Sequence, residues 1–129
     1  MDSGNPKEFV TTKDIEGTSV RNLQDEDVGT IKNIMLYSDT GEVAYAVLSV
    51  STGFLNMDSK YFAIPWEALS FTRAQSSGED IITLDVSKER LEDDNAPGFD
   101  KDNWPAGPQT EFIDSIHHYY GTTSRRRPR

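Results

Sequence analysis

The chain contains no cysteine, which removes disulfide frameworks and thiolate chemistry and agrees with a reducing, cytoplasmic setting. Histidine is nearly absent. The two present, His117 and His118, are adjacent, and neighbours on a helix point ~100° apart, so they do not share a metal as an i, i+4 pair does. No apolar run is long enough to span a bilayer. The opening MDSGNPKEFV lacks the apolar stretch of a secretion signal, so a soluble protein without a transmembrane segment is expected. Positive charge is scarce too. Thirteen Lys and Arg face 22 Asp and Glu, a net charge of −9, and such a surface repels nucleic-acid phosphates and anionic lipid. The exception is the end of the chain, Arg125, Arg126, Arg127 and Arg129. This tail reads either as a polyanion contact or as a solubilising end that pairs with the protein's own acidic surface.

Catalytic signatures are lacking as well: there is no nucleophile elbow, phosphate loop or metal-ligand spacing. The acidic stretches do not supply one. Counting Asp100 as the first position of a calcium loop puts Asp102 third and Glu111 twelfth, but Pro105 then occupies the sixth position, where glycine is needed. Asp25, Glu26 and Asp27 are consecutive, so their side chains diverge, and they read as a solvated turn. No cofactor, no metal and no enzymatic activity are expected.

What the sequence does have is β structure. Its 129 residues make one domain with, at most, an attached tail. Thr30–Tyr37 and Glu42–Val50 are rich in β-branched and aromatic residues, and Ser38-Asp39-Thr40-Gly41 between them is a hairpin link. In the second run Val43, Tyr45 and Val47 alternate with Ala44, Ala46, Leu48 and Val50, so this strand should be central and covered on both faces. In the first run Ile31, Ile34 and Leu36 look core-facing, but the step from 31 to 34 has the wrong parity. Either a bulge near Lys32-Asn33 restores register, or Ile34 lies on a second buried face.

The remaining elements follow in order. Residues 1–10 read as a flexible N-terminus. Thr11–Gly17 reads as one capped helical turn, and Ser19–Asn22 as a short strand. The loop 51–59 carries Phe54, Leu55 and Met57, either folded back on the core or kept as a contact patch. Lys60–Ile64 is a strand with Phe62 and Ile64 opposite Tyr61 and Ala63, and Pro65 either ends it or sits at an edge. Trp66–Leu69 makes a tight turn into strand Ser70–Arg73. Ile81–Val86 is a further strand, and Ser87 caps a short turn through Leu91. Many short strands with close turns and little helix describe a small sandwich or barrel.

Val28-Gly29-Thr30-Ile31, then Thr40 to Ser49, then Phe62-Ala63-Ile64-Pro65-Trp66-Glu67-Ala68-Leu69 resemble the PRC-barrel domain. The likeness runs from about Lys13 to Leu91. It implies a compact, strongly bent β-barrel over 11–91, and a binding or assembly role with no shared catalytic set. Two contexts of that family, the photosynthetic reaction-centre H subunit and a ribosome maturation factor, add a membrane helix or a preceding β-domain that this chain does not show. The chain looks instead like a free-standing bacterial member.

Residues 92–108 form a Pro/Gly/Asp-rich extended arm, similar to the Ala-Pro-x-Phe-Asp-Lys-Asp-Asn-Trp-Pro run of free-standing members. Phe99 and Trp104 would pin it to the barrel wall or carry it to a neighbour. Residues 109–121 form the one clear helix. Thr110 is its candidate cap, Gly121 its stop, and Phe112, Ile113, Ile116 and Tyr120 its apolar stripe. It lies either on its own barrel or on another copy's, and 122–129 form a basic, disordered tail. The expected function is a self-associating, dimeric protein-interaction module. Its candidate contact or scaffold residues are Phe54, Leu55, Met57, Trp66, Phe99, Trp104, Phe112 and Ile116. The alternatives are an RNA- or ribosome-associated factor, or a component linked to photosynthetic electron-transport assemblies.

Overall fold

The structure, a computed structural model, describes residues 5–6, 9–50, 60–73, 77–92, 95–100, 102, 104–105 and 109–123. The Phe54, Leu55 and Met57 loop and the arginine tail therefore lie outside the described residues. Eight strands form one sheet: β1 Asn5–Pro6, β2 Ser19–Asn22, β3 Asp27–Leu36, β4 Val43–Val50, β5 Lys60–Ile64, β6 Leu69–Arg73, β7 Asp80–Leu84 and β8 Gly98–Asp100. The helices are α1 Thr12–Ile15, α2 Lys88–Glu92 and α3 Thr110–Tyr120, with a 3-10 turn at Trp66–Ala68.

The sheet runs in the order β1-β6-β7-β2-β3-β4-β5-β8, and it is curled. β5 and β6 stand five places apart in that order, roughly 24 Å in a flat sheet. Yet only residues 65–68 join Ile64 to Leu69, a link that reaches at most ~18 Å when fully extended and less when wound into a 3-10 turn. The sheet has to bend to close that gap. The barrel-like core records the bend: Val20, Val28, Ile31, Ala46, Leu48, Phe62, Ile64, Leu69, Ile82 and Leu84, from six strands, pack into one cluster with Ile15 and Leu91 from α1 and α2.

β3 and β4 supply the curvature. Ile31 pairs with Leu48 and Asn33 with Val47, leaving Lys32 as the extra residue of a bulge. Met35 then pairs with Tyr45 and Leu36 with Val43, so Ala44 is the extra residue of a second bulge. Bulges add bend and twist. The second one corrects two expectations. Ala44 joins Tyr45 and Val47 rather than Ala46 and Leu48, and Leu36, expected in the core, is 52% exposed. Ile34 packs against the barrel core. At the start of β3, Gly29 has φ of +145° and lies so close to β4 that a Cβ would come 2.2 Å from the Ser49 carbonyl oxygen.

The ends of the elements are set locally. Thr11 Oγ1 accepts from the Asp14 amide at 3.1 Å to cap α1, and Ser87 Oγ accepts from the Arg90 amide at 3.2 Å at the start of α2. The acidic turn between β2 and β3 is built on buried Asn22. Its Oδ1 accepts from the Gln24 and Glu26 amides at 3.0 and 2.9 Å, and its Nδ2 donates to Glu26 Oε1 at 2.8 Å. Asp25 takes φ of 62° there, with its carbonyl accepting from Arg21 at 2.8 Å. α3 corrects one further expectation: its N-cap is Gln109, with no side-chain cap bond, and Thr110 is its first helical residue. Within 1–10, Asn5–Pro6 pairs with Arg73 and Thr72. Within the arm, Gly98–Asp100 pairs with β5.

Candidate interaction surface

The second face of β4 and β5 carries the aromatic residues. There Ala44, Tyr45, Val47 and Ala63 are buried together with Ile113 and Ile116 of α3. The helix stripe read from the sequence thus lies on this chain's own sheet, opposite the barrel core.

β8 holds the edge of this face. Its backbone follows β5 with Lys60 opposite Asp100, Tyr61 opposite Phe99 and Phe62 opposite Gly98. The Pro97 carbonyl continues the approach by accepting from the Ala63 amide at 3.1 Å. Glycine at 98 is what allows it, because a Cβ there would sit 2.5 Å from the Tyr61 carbonyl oxygen. Lys60 and Asp100 add an opposite-charge cross-strand pair.

Directly opposed residues bring their side chains together, and here they are aromatic. The Tyr61 and Phe99 rings meet edge-on, centroids 6.1 Å apart. Trp104 leans on both, 5.4 Å from Tyr61 and 4.8 Å from Phe99. Phe99 reaches Phe112 of α3 at 6.4 Å, and Phe112 reaches Tyr45 at 5.6 Å. A continuous aromatic path therefore runs from Trp104, 38% exposed, inward to Tyr45, 1% exposed. The Tyr45 hydroxyl ends the path by donating to Gln109 Oε1 at 2.7 Å. Burial pushes that phenol up to about 12, so it stays a proton donor across the neutral range.

The candidate residues separate accordingly. Phe99, Trp104 and Phe112 come together, while Ile116 is fully buried beneath them and acts as scaffold. Trp66 belongs elsewhere: it stacks on Phe71 with centroids 4.7 Å apart and packs against the barrel core. Tyr45, Tyr61 and Gln109 were missed by sequence reasoning. Tyr45 and Tyr61 had a usable signal, since each alternates with core residues and so faces the opposite side. Gln109 had none.

The far end of α3 is fastened to α2. The Arg90 guanidinium lies 4.2 Å over the Tyr119 ring and donates to the Tyr119 carbonyl, and the Tyr119 hydroxyl donates to the Arg90 carbonyl at 2.6 Å. His117 is buried, with Nδ1 2.7 Å from Thr122 Oγ1, while His118 is exposed. Among the described residues no three His, Asp or Glu groups gather as a metal site, and no helix is long and apolar enough to cross a membrane.

None of the curated proteins compared with the chain matches it. A family model, the PRC-barrel domain, matches residues 7–91. That span takes in the curled sheet from β2 to β7 with α1 and closes at α2, leaving β8 and α3 outside it. Matched over about two-thirds of its length, the chain belongs to the PRC-barrel domain family.

Proposed function

We propose that this chain is a non-enzymatic protein-interaction module that associates with itself through the edge formed by β8 and its aromatic cluster. The observation that carries the reading is Trp104, a large aromatic side chain left partly exposed while held in place by Tyr61 and Phe99. Pre-positioned aromatics at a desolvatable rim make efficient contact residues, because little side-chain freedom remains to be lost on binding. β8 is also a terminal strand of the sheet, and such an edge readily pairs with another chain.

Two further features support the reading. Among the described residues, the buried polar side chains Asn22 and His117 hydrogen-bond to a backbone turn and to a helix end, which is scaffold work. The connection from Val50 to Lys60, which carries Phe54, Leu55 and Met57 in sequence, leaves the sheet at the end where Tyr61 pairs with Phe99. The described ends of that connection, Val50 and Lys60, thus lie at the same end of the sheet as the Tyr61–Phe99 pair.

Sedimentation velocity at micromolar concentration tests this reading. The wild-type chain is expected to sediment as a dimer, with Trp104→Ser and Phe54→Ser each weakening it at least tenfold while circular dichroism stays unchanged. A folded wild-type monomer at high micromolar concentration would contradict self-association.

A further inference from the structure

The aromatic face lies on the side of β4 and β5 turned away from the barrel core. Ile113 and Ile116 pack with Ala44, Tyr45, Val47 and Ala63 in a cluster distinct from the barrel core, and α3 lies beyond the matched family span. Among the described residues, Tyr120 alone packs against both clusters. α3 can therefore leave its face without opening the barrel.

Three features make its hold conditional. The N-cap residue gives α3 no side-chain bond, because the Gln109 amide oxygen accepts from Tyr45 instead. A helix of 11 residues is marginal in water by itself, so α3 is helical because it is docked. Finally, the Tyr120 hydroxyl is buried with no hydrogen-bond partner among the described residues. Closing α3 takes that hydroxyl out of water without replacing its hydrogen bond, and opening gives the bond back.

We propose that the face of Tyr45, Val47 and Ala63 is an interaction surface for α3 of a second copy, so that two chains exchange their terminal helices. This rests on the self-association reading above and supplies its geometry. The second copy is the occupant because the helix seen to fit this face is Thr110–Tyr120 itself. Exchange re-forms every contact across chains: Tyr45 with Gln109, Tyr45 with Phe112, and Arg90 with Tyr119. It is also two-fold symmetric, so both faces are covered at once. Residues 101–109 separate β8 from α3, and a stretch of that length spans ~30 Å when extended.

The absence of cysteine makes a clean test. One chain carries Arg90→Cys and another Tyr119→Cys. The two are mixed, allowed to equilibrate at micromolar concentration and treated with a short bifunctional thiol cross-linker. Exchange predicts a covalent heterodimer. A chain carrying both substitutions serves as the control for proximity within one copy. Because these substitutions loosen the α2–α3 clasp, the second measurement leaves it intact: exchange between donor- and acceptor-labelled dimers is followed in wild type and in Tyr120→Phe. Removing the unpartnered hydroxyl favours the docked helix, so exchange should slow about fivefold. A dimer that links only within the double-substituted chain, or whose exchange ignores Tyr120→Phe, would overturn helix exchange and leave self-association standing. A monomer would overturn both.

Discussion

Tyr45 shows how a single residue ties sheet, helix and ionisation together. Its ring contacts Phe112, its hydroxyl binds Gln109, and burial raises its pKa from 10.0 to about 12. Tyr120 is raised as well, chiefly by burial, then by Tyr119 and against the pull of Arg90. From about pH 10 upward an unfolded phenol loses its proton while the buried one keeps it. The native state then binds more protons, and stability falls as pH rises. The contribution is fully present below pH 10 and lost as pH passes through the folded-state value. Urea midpoints measured from pH 9 to pH 12 should therefore decline, and Tyr45→Phe should flatten the decline without abolishing it, Tyr120 supplying the rest. Gly29 is the steric counterpart. A Cβ there meets the Ser49 carbonyl in a backbone conformation that side chains rarely adopt, so Gly29→Ala should cost about 3 kcal/mol, read as a lower urea midpoint at unchanged slope.

At the scale of elements, local chemistry was legible in the sequence and distant pairing was not. The hairpin at Ser38–Gly41, the strand Lys60–Ile64 and the helix Thr110–Tyr120 follow from residue type and spacing. The parity of Ile31 and Ile34 pointed to either a bulge near Lys32-Asn33 or a second buried face, and the register of β3 on β4 selects the bulge. Ala44 gave no such sign, because alanine fits either face of a strand, and the bulge it makes is what carries Leu36 out to solvent. β8 was hidden inside a Pro/Gly/Asp-rich stretch, since its pairing depends on backbone approach at Gly98 and not on β-propensity. The parallel pairing of β2 with β7 is non-local and leaves no mark on either segment. The bond from Tyr45 to Gln109 spans 64 residues and is invisible for the same reason. Two separate clusters also imply unequal stability: α3 amides should exchange hydrogen by local opening, faster than those of β4, which should exchange only on global unfolding. Native-state hydrogen exchange resolved by residue would check this, and equal protection in α3 and β4 would mean that the two clusters open as one.

For the whole molecule, a curled sheet of the PRC-barrel family carries on its outer face an addition made of β8 and α3. The barrel provides rigidity, and the addition provides an aromatic edge ending in Trp104. Trp66 is packed into the scaffold while Trp104 is not, so the two tryptophans of the chain can be told apart by substitution. The most direct measurement follows Trp104 emission in a Trp66→Phe background while the protein is diluted from high micromolar to nanomolar concentration. If association covers this edge, emission should shift to the red on dilution, with a midpoint matching the dimer dissociation seen by sedimentation. Emission that stays constant while the dimer dissociates would contradict the assignment of the β8 edge as the contact surface.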